Sequence, residues 1–111
     1  MLDVRQRRGV RGSQYAWANS RRLQAGLSEA GVDYRHLKGL APTTELRQLQ
    51  YREDARLGEG KRSRTKLAPE YVRIYTETIL DKADLSPIAE LAHTTRPALL
   101  CVEQDPEACH R

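Results

Sequence analysis

The chain contains no phenylalanine, one tryptophan and one methionine among its 111 residues, so its core must be aliphatic. Apolar residues reach 39%, below the ~45–50% usual for globular domains. No window approaches the ~20 apolar residues of a membrane span. No basic-then-apolar leader marks a secretory signal either. Two cysteines, one inside an apolar run and one beside a histidine, do not make a disulfide framework. They read as free thiols in a reducing cytoplasm. Internal repeats and low-complexity segments are also missing.

What is present is charge, at 31% of residues, in one domain large enough for a modest core. It is unevenly placed. Residues 1–66 hold 15 Lys and Arg against 7 Asp and Glu, a net +8, whereas residues 67–111 hold 4 against 8, a net −4. A basic half can attract phosphate-bearing partners, nucleic acid included. An arginine-rich surface is also ordinary in a soluble protein.

Periodicity outlines the elements. "LDVR" reads as a short strand from Leu2 to Arg5, followed by a flexible basic loop. Asn19 or Ser20 can cap a helix that places Leu23, Leu27 and Ala30 on one face. Gly31 stands where a left-handed C-cap wants a residue without Cβ. "VDYRHL" then alternates as a strand does. Strand, helix, glycine turn and strand together favour a parallel crossover. Thr43 or Thr44 can cap a second helix with Leu46 and Leu49 inward, and the basic stretch around 57–67 reads as a mobile loop. Pro69 opens a third helix, with Val72, Tyr75 and Ile79 as its stripe. A last helix buries Ile88, Leu91 and Ala92. "PALLCV" suits a central strand covered on both faces.

These elements predict an α/β fold with three strands, and in open parallel sheets ligands settle beyond the strands' carboxyl ends. Those ends carry Arg5, His36 with Lys38, and the stretch from Glu103 to Arg111. The closing "ALLCVEQDPEACHR" admits three readings. A zinc site usually needs two close Cys/His pairs, and Cys101, Cys109 and His110 offer only one pair and a neighbour, so no metal is expected. A thiol nucleophile at Cys109 needs a base. His110, adjacent in sequence, would point about 100° away on a helix, which favours His36. An anion loop would use backbone N–H groups, the Arg111 fork and His110 as donor. A structural cysteine or a chance polar cluster at the C-terminus is the plain alternative to each.

Four stretches, "LDVR" at 2–5, "LQAGLSEAGVDYRHLKGL" at 23–40, "TELR" at 44–47 and "ALLCVEQDPEACHR" at 98–111, resemble the domain of unknown function 488 family. The resemblance implies a three-layer, mostly parallel, Rossmann-like sheet. It also implies recurrent polar positions at Asp3, Arg5, His36, Glu103, Cys109, His110 and Arg111. Family members usually carry an upstream strand and helix and a further helix after "CHR", so a trimmed version is expected. The sheet edge this would expose could be covered by a second copy. The expected function is binding of, or chemistry on, a phosphate-bearing ligand at the rim. Arg5, Asp3, Lys38 and Arg111 would hold it, and Cys109, His110, His36 and Glu103 would act on it. Whether a reaction occurs, and with what cofactor, stays open. A non-enzymatic protein whose basic half docks nucleic acid or a protein partner is the alternative. A sulfur relay of the rhodanese kind is weaker, because the glycine-bearing active-site loop is missing.

Overall fold

A computed structural model describes residues 1–60, 63–103 and 105–110. Within them lies a mixed α/β fold around a small parallel sheet. Its strands are β1 (Leu2–Asp3), β2 (Arg35–His36) and β3 (Leu99–Leu100), in the order β2-β1-β3. The ladder continues past the strand ends: Leu2 N–H donates to Ala98 at 2.8 Å, Arg35 N–H to Met1 at 2.9 Å and Leu37 N–H to Asp3 at 2.8 Å.

The centre of the sheet is β1, not the apolar "PALLCV" run. β3 is an edge strand paired to β1 alone, and Leu99 is 45% exposed. The reason is the alternation around β1. Leu2 and Val4 bury one face, while Asp3 and Arg5, two residues apart and therefore on one side of the strand, bury the other.

The helices begin largely where local chemistry dictates. α1 (Ser20–Glu29) ends before Gly31, whose φ of +67° is the left-handed conformation expected there. Asn19 precedes α1 but does not cap it with its side chain. Its Oδ1 instead accepts from Val10 N–H at 2.9 Å, tying down the basic loop. Leu23 on α1 is buried, and Ala30, just past the helix end, is exposed. α2 (Thr44–Arg56) is capped by Thr43, whose hydroxyl accepts from Leu46 N–H at 3.2 Å. α3 (Pro69–Tyr75) starts with Pro69 and runs on into a π-helical turn, Thr76–Leu80. α4 (Ser86–Thr94) buries none of its residues, contrary to the expected burial of Ile88, Leu91 and Ala92.

The main apolar cluster is partly aromatic rather than aliphatic. Leu46 and Ala68 pack with Tyr71 and Tyr75, flanked by Leu49, Leu67, Ile74 and Ile79. The two tyrosines, four residues apart on α3, hold their rings 6.2 Å apart and nearly parallel. Val72, placed in the stripe by periodicity, is exposed. The phenolic Tyr75 O–H donates to Leu40 C=O at 2.7 Å, so its burial leaves no polar group unmatched.

Polar groups are buried too. Gln50 Nε2 donates to Asp54 at 2.7 Å, its Oε1 accepts from Ala68 N–H at 2.8 Å, and Arg64 donates to Asp54 at 2.9 Å. The basic stretch around 57–67 thus sends Arg64 inward, while its Lys61 and Arg62 lie outside the described residues. No described helix is long and apolar enough to cross a membrane.

Asp3 holds β1 in place. Its carboxylate accepts from Arg5 Nε and NH2 at 2.8 and 2.7 Å and from Tyr34 O–H at 2.6 Å. Burial alone raises its pKa, but the bonds from Arg5 and Tyr34 outweigh it and hold the carboxyl below its ordinary range. A depressed folded pKa stabilises the fold above the unfolded value, and that contribution is lost as pH falls through the folded one. We predict that Asp3→Asn, which leaves Arg5 buried beside a neutral amide, costs about 3–5 kcal/mol in urea unfolding near neutrality. The deficit relative to wild type should shrink below about pH 4; a deficit unchanged at low pH would show that this carboxylate is not the source.

Candidate functional site

β1 ends by presenting two backbone carbonyls, Val4 and Arg5, where its strand pairing runs out. Each is taken by a histidine. His36 Nε2 lies 2.9 Å from Arg5 C=O, and His110 Nε2 lies 3.0 Å from Val4 C=O. A carbonyl only accepts, so both rings carry their proton on Nε2 in these bonds. The His110 bond joins positions 106 residues apart and folds the C-terminal segment back over the sheet.

That segment turns through Pro106–Ala108, with Asp105 capping the turn by accepting from Glu107 N–H at 3.0 Å. Cys109 follows in extended backbone, not on a helix. Its Sγ lies 3.9 Å from His110 Nδ1 and 3.8 Å from Glu103 Oε2. The helical argument against His110 as a partner for Cys109 therefore does not apply. His36 is occupied on the far side of β1 and is not part of the cleft wall. Glu103 Oε2 also accepts from Cys101 Sγ at 2.6 Å. The hydrogen bond to Cys109, then burial, then the Glu103 carboxylate push the Cys101 thiol far up. Burial pulls the His110 imidazole down, but Cys109 and the Val4 carbonyl outweigh it, and the net direction is up. The Tyr75 ring meets His110 edge-on at 5.6 Å between centroids, and burial raises the Tyr75 phenol to about 12.

Above this floor opens a cleft of about 90 Å³, room for several waters or a small anion. Its wall comes from beyond the ends of β1 (Arg5, Gln6, Arg7) and β3 (Cys101 to Glu103), from α2 (Arg47, Gln50, Tyr51) and from Arg64. Arg5 and Arg64 are engaged. Arg5 is bonded to Asp3 and to Ala18 C=O at 2.7 Å; Arg64 pairs with Asp54 and stands 3.8 Å from Glu103. Arg47 donates to Gln6 and to the Tyr51 hydroxyl, each at 2.8 Å. Arg7 is exposed. Neither Arg7 nor Arg47 forms an ion pair among the described residues.

A family model described as Domain of unknown function DUF488 matches residues 2–111. The chain belongs to the DUF488 family. Among curated proteins and among solved structures none matches. In this DUF488 chain Asp3, Arg5, His36, Glu103, Cys109 and His110 gather around the end of β1. Asp3 and His36 support the backbone there rather than lining the cleft. Lys38 is exposed and apart from the cleft wall; Arg111 lies outside the described residues. Sequence reasoning missed Arg7, Arg47 and Arg64. The one available signal was Arg47 within "TELR", in the first turns of α2 and one residue past the buried Leu46.

Cys101 should be a slow thiol. In reduced, chelator-treated protein near pH 7, we predict that iodoacetamide modifies Cys101 at least about tenfold more slowly than an unfolded-peptide thiol, read by mass spectrometry. Peptide-like rates at Cys101 would mean that its bond to Glu103 does not persist.

Proposed function

We propose that this DUF488 protein binds a phosphate-bearing ligand, a nucleotide or a nucleic-acid end, by seating its phosphate group in the cleft beyond the carboxyl ends of β1 and β3. The observation that carries the reading is the pairing of charges. Four guanidinium groups face or border one small cleft, and two of them, Arg7 and Arg47, have no carboxylate among the described residues. A planar guanidinium presents paired N–H donors that match phosphate oxygens. Ligands of Rossmann-like sheets sit at the same relative position.

In this reading Arg47 and Arg7 hold the anion. Arg5 and Arg64 are fixed by their own carboxylates and contribute field and shape. The reactive groups at the floor, Cys109, His110 and Glu103, are where chemistry on the ligand would take place. Two thiols that stay reduced fit a cytoplasmic setting.

The test is thermal unfolding of chelator-treated protein with pyrophosphate and with nucleoside mono-, di- and triphosphates. Saturation near 100 times Kd should stabilise the fold by about 2.7 kcal/mol. Arg47→Ala should remove most of that gain, whereas Arg22→Ala, on exposed α1 away from the cleft, should keep it. Equal losses in both variants, with steep salt dependence, would assign the attraction to diffuse basic charge and end the cleft reading. Absence of any stabilisation would end it as well.

A further inference from the structure

The floor of the cleft holds a donor set that the anion reading does not need. Cys101 Sγ, Cys109 Sγ and a His110 ring nitrogen all lie within 4.8 Å of one another. Glu103 Oε2 touches both sulfurs, at 2.6 and 3.8 Å. Close spacing in sequence does not announce such a site, because Cys101 precedes the Pro106–Ala108 turn and Cys109 follows it. The turn reverses the chain and brings the two sulfurs face to face.

We propose that Cys101, Cys109 and His110, with Glu103 as fourth donor, bind one zinc ion. Two sulfurs, an imidazole and a carboxylate suit a borderline-soft divalent ion in tetrahedral geometry and do not suit magnesium or calcium. At Zn–S distances of about 2.3 Å, tetrahedral donors stand roughly 3.5–3.8 Å apart. The 3.9 Å between Cys109 Sγ and His110 Nδ1 is already close to that. The other separations among the two sulfurs and the imidazole, at most 4.8 Å, close by about 1 Å, and the 2.6 Å between Cys101 Sγ and Glu103 Oε2 opens by about 1 Å.

The second layer is in place as well. A zinc-bound imidazole ordinarily donates its other N–H to a carbonyl or carboxylate, which fixes tautomer and ring orientation. His110 Nε2 does so to Val4 C=O at 3.0 Å, leaving Nδ1 turned toward Cys109. Arg64, paired with Asp54 at 2.9 Å, also stands 3.8 Å from Glu103. Both thiols release their protons to solvent as the sulfurs bind, so two thiolates and a carboxylate (−3) around Zn²⁺ leave −1 in total. The ion would also fasten the C-terminal segment to β1, at the base of an anion-attracting cleft.

The experiment uses the full chain, reduced, chelator-treated and free of phosphate, titrated with Co²⁺ as the spectroscopic stand-in for zinc. Saturation at one equivalent is expected, with a near-ultraviolet thiolate-to-cobalt band and intense tetrahedral visible absorption, both abolished by one equivalent of Zn²⁺. Zinc should also protect both thiols from a disulfide reagent. Cys109→Ser and His110→Ala should weaken zinc by more than the roughly 10–100-fold typical of losing an outer partner, and Arg22→Ala, away from the cleft, should leave it unchanged. A weak octahedral spectrum from wild-type protein overturns the site without requiring any variant to fold, and undiminished zinc affinity in folded Cys109→Ser overturns it as well. Phosphate stabilisation that persists in chelated protein while the cobalt spectrum is missing sinks the metal alone. The reverse pattern sinks the anion reading alone.

Discussion

A buried charge pair governs the end of β1. Because Asp3 and Arg5 alternate with Val4, both project from one face of the strand and meet as a two-pronged pair. Neither charge can be left alone there. Asp3 is fully buried and Arg5 is 3% exposed, and an unpaired ion at such depth would cost several kcal/mol. Arg5 spends a further N–H on Ala18 C=O, and Tyr34 spends its hydroxyl on Asp3. The 3₁₀ segment Ser13–Ala18, the turn before β2 and the central strand are therefore locked in one arrangement. A hydrophobic pair could match this for stability. It would not specify the register, since apolar surfaces slide where a fork does not.

The pair also decides what the rest of β1 can do. With the Asp3 and Arg5 side chains committed to each other, the strand's last carbonyls are what remain to be satisfied, and two imidazoles satisfy them. One of those imidazoles is the route by which the C-terminal segment reaches the sheet. The thiols at 101 and 109, separated along the chain by the Pro106–Ala108 turn, meet because His110 is held to Val4. The cleft floor is thus a consequence of how β1 terminates. The charge of its wall follows the same logic: the guanidinium groups with carboxylates are structural, and those without them give the cleft its excess of positive charge.

Much of this organisation is visible in the amino acids, where a single residue has a local reason to be what it is. Gly31 at positive φ, Thr43 as a cap and Pro69 in a first helical turn all act within a few residues of themselves. The failures occur where a long-range partner overrides a local preference. Val72 fits a helical stripe, yet Tyr71 and Tyr75 claim the interior because their rings bury more surface. Leu99 fits a central strand, yet the charged β1 takes the middle because its ions are paired there. Arg64 sits in a stretch rich in glycine and lysine that reads as solvent-exposed. Asp54, ten residues back on α2, gives it a reason to turn inward. His110 was discounted by a helical angle that an extended backbone does not impose.

Arg64 also shows why site and scaffold cannot be treated as separate in so small a domain. It bonds Asp54 on α2, approaches Glu103 on the floor, and donates toward Ala108 C=O at 3.4 Å. Asp54 in turn holds Gln50, and Gln50 accepts the first free N–H before α3, that of Ala68. A chain of hydrogen bonds, closed by the 3.8 Å ion pair between Arg64 and Glu103, therefore runs from the start of α3 to the carboxylate between the two thiols. No buried side-chain nitrogen or oxygen among the described residues lacks a partner, and a fully satisfied polar network is stiff where a half-satisfied one is costly. Drawing Glu103 toward a cation, or Arg64 toward an anion, would shift one link and oblige the others to follow. Occupancy of the cleft by either ion would then be coupled to the packing of α2 against α3, through the side chains of Gln50, Asp54 and Arg64.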